Sequence, residues 1–125
     1  MTQTNIISKI QIEGFHNFPL AEKFFPEASF LSERHRHIFW IECEKKVFHD
    51  NRDLEFILFS RTIKSYLYEK YPYKGTENTP PYHYHCEFGA MSCEAIAREL
   101  LEKFELESCS VFEDNENGAK IFKIK

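Results

Sequence analysis

His35-Arg36-His37 stands at the head of an apolar, strand-like run, and alternation along a strand aims its two imidazoles at one side of a sheet. Two imidazoles on one face make half of a zinc site, because zinc takes neutral nitrogen ligands, often three of them where a fourth position stays open for chemistry. His16 ends another strand-like run, within Gly14-Phe15-His16-Asn17-Phe18, and completes a three-histidine set if the two strands pair. The plain alternative is a surface His16 beside two hydrogen-bonded strand histidines. Phe39 and Ile41 favour the metal reading: they continue the face of His35 and His37, so the imidazoles need partners in a partly buried place.

The elements that must carry these residues follow from hydrophobic periodicity. Ile6, Ile10 and Ile12 among polar residues fit a strand over about 5–15 with one buried face, and a long loop follows it. From Arg34 to about His49, His35, His37, Phe39, Ile41 and Cys43 share one face, while Ile38 and Trp40 take the other before charges replace them. Beyond the Asp50–Asp53 break, Phe59, Ile63, Tyr66 and Leu67 recur at helical spacing, which predicts a first helix ending near Lys70. Residues 71–87, with three of the five prolines, read as one irregular loop. Ser92 is placed to cap a second helix carrying Cys93, Ile96, Ala97, Leu100, Leu101 and Phe104 on its apolar stripe. A closing hairpin joins a strand at 109–113, turn chemistry from Asp114 to Gly118, and a strand from Ala119 to Ile124. The predicted class is α+β: a ββααββ order, an antiparallel four-stranded sheet, and two helices on one face.

The 125 residues suit a single domain over 1–125, and 42% hydrophobic with 16% aromatic content supplies its core. A net charge of −4 with no concentrated run of lysine and arginine argues against a nucleic-acid partner. The opening Met1-Thr2-Gln3-Thr4-Asn5 lacks a signal pattern and no apolar run reaches membrane-spanning length, so no membrane partner and a cytoplasmic location are expected. Cys43, Cys86, Cys93 and Cys109 are spread without a Cys-x-x-Cys pair and read as buried thiols. Asp114-Asn115-Glu116-Asn117-Gly118 is too short for a twelve-residue calcium loop and reads as a turn. His83-Tyr84-His85-Cys86 is only a weak second metal cluster, and the aromatic residues of 15–30 and 66–84 read as core or subunit contacts.

The element order together with the histidines resembles the tunnelling fold of the 6-pyruvoyl-tetrahydropterin synthase and 6-carboxytetrahydropterin synthase family over nearly the whole chain. His16 matches that family's first zinc histidine, and His35-Arg36-His37 matches its His-Gly-His pair. Glu55-Phe56 resembles the Asp-Phe opening of its first helix, and Met91-Ser92-Cys93-Glu94-Ala95 the opening of its second. Val111-Phe112-Glu113 stands where a strand-ending glutamate clamps the pterin ring. Such a carboxylate accepts two parallel hydrogen bonds from a ring N–H and its exocyclic amino group. The resemblance implies zinc on His16, His35 and His37, with Glu113, Ser92 and Glu94 in substrate binding. Glu113 as the last residue before a turn, and Glu94 as a residue favouring the positive end of a helix, are the plainer alternatives.

Departures bear on activity. The family's catalytic cysteine falls at Leu31, with Glu27 and Glu33 the nearest carboxylates, and its Asp-His relay is represented only by His85 in the long loop. Arg36 in place of glycine is expected to point away from the metal face. The expected activity is a zinc-dependent lyase or epimerase acting on a dihydropterin triphosphate such as 7,8-dihydroneopterin triphosphate, with His85 or Glu33 moving the proton. In the family the products feed tetrahydrobiopterin or 7-deazaguanine and queuosine routes, and the sites form between subunits of a hexamer, so a homo-oligomer is expected. Phosphate binding by so acidic a chain would have to be local. The alternatives are a non-catalytic protein that binds a pterin or purine nucleotide with the same clamp, and an interaction scaffold that binds neither.

Overall fold

The structure, a computed structural model, describes residues 1–74 and 85–124. Its elements in chain order are β1 (Thr4–His16), a short α1 (Ala21–Phe24), a 3-10 segment (Pro26–Ser32), β2 (His35–Val47), α2 (Phe56–Lys70), β3 (Cys86–Gly89), α3 (Cys93–Phe104), β4 (Ser108–Glu113) and β5 (Asn117–Phe122). The class is α+β, but the sheet has five strands in the order β3-β1-β2-β4-β5 and is mixed, because β3 runs parallel to β1 while the other pairings are antiparallel. The expected four-stranded antiparallel sheet is corrected on both counts. The added strand begins at the end of the predicted 71–87 loop and runs past it to Gly89, with Cys86 and Phe88 burying one face of β3 against the core. His83 and the rest of 75–84 lie outside the described residues. The predicted loop after β1 is also partly regular, holding α1 and the 3-10 segment.

Alternation decides which side of the sheet is covered. Ile10 and Ile12 of β1, Phe39, Ile41 and Cys43 of β2, and Cys109 and Val111 of β4 join Phe59, Ile63 and Leu67 of α2 and Ile96, Ala97 and Leu100 of α3 in one core. Both long helices therefore lie on one face, and full burial of a side chain such as Ile63 contributes about 1.5–3 kcal/mol relative to exposure. Glu55 caps α2 by accepting from the Ile57 and Leu58 amides, and Ser92 Oγ accepts from Ala95 N at the start of α3. At the far end of α3, Lys45 Nζ donates to the Phe104 carbonyl at 2.7 Å, where a cation satisfies carbonyls the helix leaves open. That tie leaves the N-terminus of α3 beside the histidine ends of β1 and β2.

All four cysteines are free and buried, as the sequence suggests. Of the aromatic residues of 15–30, Phe24, Phe25 and Phe30 lie outside the core of the chain, each more than half exposed. Among the described residues no helix is long and apolar enough to cross a membrane.

Candidate metal centre and its cleft

Antiparallel pairing sets His16 directly opposite His35 and Gly14 opposite His37. The inward side of β1 carries the even residues and that of β2 the odd ones, so the three imidazoles meet on the helix-covered face. Their ring centroids lie 4.5 Å (His16–His35), 5.3 Å (His16–His37) and 5.0 Å (His35–His37) apart. Gly14 makes room beneath them: a Cβ there would stand 2.8 Å from Phe88 Cε2 and 3.2 Å from Phe39 Cε2. Phe39 packs edge-on against His16, His37 and Phe88, forming an apolar floor.

Each imidazole is oriented from behind by the same device. His16 Nδ1–H donates to the Met91 carbonyl at 2.9 Å, His35 Nδ1–H to the Glu33 carbonyl at 2.8 Å, and His37 Nδ1–H to Asp114 Oδ2 at 2.7 Å. The positive φ of Gly89 (+62°) turns the chain from β3 into α3 and sets the Met91 carbonyl where His16 needs it. Asp114 also accepts from Ile38 N at 2.9 Å, and these two bonds, backbone first, hold its carboxyl below the usual aspartate value. In the neutral tautomer that these bonds select, Nδ1 carries the proton and Nε2 a lone pair. Metal-binding histidines are held in this way by oxygens on their other nitrogen.

His16 Nε2 and His37 Nε2 are buried without a hydrogen-bond partner, although Glu113 oxygens lie 2.9 and 3.6 Å from them. In the neutral tautomer a lone pair faces a carboxylate oxygen at each of these places, whereas a protonated imidazole would donate to it. Burial first of all holds His16 below the ordinary imidazole value, outweighing the opposing pull of the Met91 carbonyl and Glu113, so its neutral form is favoured. A cation among these atoms relieves the repulsion. His16, His35, His37 and Glu113 offer ligand atoms all within 4.8 Å of one another. Ligands about 2.0–2.2 Å from a tetrahedral ion stand about 3.4 Å apart, so the widest pair has roughly 1.4 Å to close. The donor set is one that could hold a divalent ion.

Beside the histidines opens a cleft of about 630 Å³. Phe18, Phe25, Leu31 and Met91 give it apolar walls, and Ser92, Cys93, Glu94 and Glu113 supply polar groups. Glu113 and Glu94, expected to bind substrate, therefore both face it, as does Ser92, whose hydroxyl oxygen is engaged by Ala95 N while its own proton stays free to donate. Glu113 does more than the sequence suggests, since it reaches the histidines themselves.

The two expected proton carriers are elsewhere. Glu33 contributes its backbone carbonyl to His35, while its residue is exposed and absent from the cleft lining. His85 is buried behind the sheet, its Nε2 3.0 Å from Glu13 Oε2 and its ring against Phe15 and Tyr73. Glu13 and Phe15 alternate with Gly14 and His16, so the sheet itself separates His85 from the histidine cluster within one chain. Arg36 pairs with Glu13 on that same outer face, turned from the metal side as expected. Burial raises the Glu13 carboxyl, but Arg36 and His85 outweigh it and the net shift is downward.

Two functional neighbours escape the sequence reading. Asp114, taken only as a turn residue, orients His37. Cys93, assigned to the helix stripe, lines the cleft next to Glu113, and burial, reinforced by that carboxylate, pushes its thiol up to about 12. A search against protein-family models gives no match for the chain, and a search of curated proteins gives none either.

Proposed function

We propose that the chain is a divergent zinc protein of the 6-pyruvoyl-tetrahydropterin synthase and 6-carboxytetrahydropterin synthase type, built on a tunnelling fold whose ββααββ frame carries β3 as an addition. Its cleft binds a pterin-like ring and carries lyase or epimerase chemistry on the ring's side chain. The observation that carries this reading is the common arrangement of the three imidazoles, each with Nδ1–H given to an oxygen and Nε2 turned toward the others. His16, His35 and His37 would hold zinc, which when bound makes a substrate hydroxyl easier to deprotonate.

The chain's own residues supply the rest. Glu113, whose oxygens face His16 and His37 here, accepts the paired N–H groups of the ring once its carboxylate turns into the cleft that it lines at the end of β4. Phe25, Leu31 and Met91 offer apolar contact to the ring faces and exclude water. Cys93 holds its proton at Sγ beside Glu113, so it stands as a thiol rather than a thiolate. The exposed Phe24, Phe25 and Phe30, of which Phe25 lines the cleft, suit burial against further copies of the chain, in keeping with sites shared between subunits.

Metal analysis after equilibration with zinc tests the reading. One equivalent per chain is expected, none in His35→Ala, and metal without pterin binding in Glu113→Ala. A parent chain that takes up no zinc ends the proposal. The second reading, a pterin-binding protein without turnover, is favoured by the outward Glu33 and the position of His85 behind the sheet. Ultraviolet spectra of dihydropterins left with the zinc-loaded protein separate the two, because only an enzyme changes the spectrum.

A further inference from the structure

Resting on the zinc and ring-binding roles proposed for the site, we infer that Glu113 is a carboxylate with two working positions. In the empty cleft it is the fourth ligand of the ion on His16, His35 and His37, and an entering ring draws it away. The ring thereby opens the coordination position that its own side chain requires. Zinc sites that act on a substrate keep such a position, whereas four protein ligands close the ion.

The place Glu113 takes is that of a metal ligand. Its Oε2 lies 2.9 Å from His16 Nε2 and its Oε1 3.6 Å from His37 Nε2. Ligand atoms on one tetrahedral ion stand about 3.4 Å apart, between those two values. Both Nε2 atoms are buried without a hydrogen-bond partner, so in the neutral tautomer a cation is what draws a carboxylate to them. Carboxylate oxygen is an ordinary zinc ligand beside imidazole nitrogen, and its charge offsets half of the +2 that three neutral imidazoles leave in a partly buried place. An ion pair between Glu113 and a protonated imidazole also brings these atoms close, but it makes no contact with a metal and leaves the metal's ligand set unchanged when Glu113 is replaced.

The surroundings fix the backbone of Glu113 and leave its side chain room to turn. It is the last residue of β4, opposite Phe39 on one side and Asn117 on the other, and the Asp114 N–H donates to the Ile38 carbonyl at 2.8 Å directly after it. The side chain is 31% exposed and also lines the cleft, so rotation about its own bonds carries the carboxylate from the histidines into the cleft. Clamping a ring through two parallel N–H groups uses both oxygens, and so does the place between His16 and His37. The two positions therefore exclude each other. By linkage, a bare ring and the ion weaken one another's binding, whereas a ring whose side chain reaches the ion restores the lost contact. The exchange favours rings that carry a side chain able to coordinate.

The test loads the full chain with cobalt(II) in place of zinc, because the visible spectrum of that ion reports the number and kind of its ligands. Glu113→Gln keeps the size of the side chain and removes its charge. Its cobalt spectrum should differ from the parent's, and its zinc affinity, from competition with a chromophoric chelator, should fall at least tenfold while saturating zinc still gives one equivalent on the three imidazoles. Adding unsubstituted pterin to the cobalt-loaded parent should move its spectrum toward that of the variant. An unchanged spectrum in Glu113→Gln overturns the inference and leaves the three-histidine and ring assignments standing. A parent spectrum that stays unmoved while ligand fluorescence shows pterin bound also overturns it, since Glu113 would then remain on the ion. Failure of pterin to bind a metal-loaded parent overturns the ring-binding role and the inference with it, and a parent that takes up neither metal ends the proposed function itself.

Discussion

Replacing Asp114 by asparagine isolates the orientation of His37. Both groups that Asp114 serves are donors, His37 Nδ1–H at 2.7 Å and Ile38 N–H at 2.9 Å, so the position requires two acceptors. Asparagine has one carbonyl oxygen and one NH2, and whichever way it turns, one donor meets another donor. The backbone is not strained by the change: Asp114 sits at φ 54°, in the left-handed region that asparagine tolerates as readily as aspartate. The variant keeps shape and turn while losing one charge-assisted bond.

Two consequences follow, with different magnitudes. Loss of a second partner behind a metal-binding histidine typically costs 10–100-fold in metal affinity, about 1.4–2.7 kcal/mol. Asp114 is nearly half exposed, so solvent replaces part of what the bond contributes, and metal-free stability should fall by only about 1 kcal/mol. Competition with a chromophoric zinc chelator at neutral pH measures the first, and urea unfolding of the metal-free chain the second. A variant whose zinc affinity stays within twofold of the parent would refute the claim that Asp114 sets the ring, since the loss should exceed the loss in fold stability.

Gly14→Ala should destabilise the chain by about 1–3 kcal/mol in urea unfolding, because its Cβ meets Phe88 and Phe39, which are packed beneath His16. Glu99, which ties α2 to α3 by accepting from Tyr66, Tyr71 and Lys70, has its carboxyl raised by burial but lowered further by those partners. Its folded value lies below its unfolded one, so its contribution is present above about pH 4.5 and lost as pH falls through the folded value; Glu99→Gln should flatten that acid limb of stability. Cys93, with its thiol near 12, should resist alkylation at pH 8 in the folded metal-free chain and react on unfolding in urea, read as mass added to the peptide that contains it.

The parts of the fold that the sequence discloses are those whose pattern repeats enough to outweigh chance. β1 and β2 run for 13 residues each, and α2 and α3 carry three or more buried residues at helical spacing. β3 offers only four residues in a proline-rich neighbourhood, and its pairing with the end of β1 is a long-range contact that no local period announces. α1, at four residues, is likewise below the length at which periodicity speaks. The expectation of four strands fails at the sheet edge, where the shortest strand sits.

The same division runs through the site. His16, His35 and His37 are legible because strand alternation alone assigns their face, and one antiparallel pairing brings them together. Asp114 is not, since its service to His37 depends on the β2–β4 register that sets Phe39 opposite Glu113 and so carries the next turn residue to Ile38. Cys93 is legible as a buried helix residue, but its place beside Glu113 depends on how α3 packs against β4. His85 is not joined to the three histidines within the chain for the converse reason: its residue type says nothing about which face of β1 it takes. Glu87 and His85 fall on the outer face while Cys86 and Phe88 enter the core, so the alternation that gathers three histidines is also what keeps this one from them.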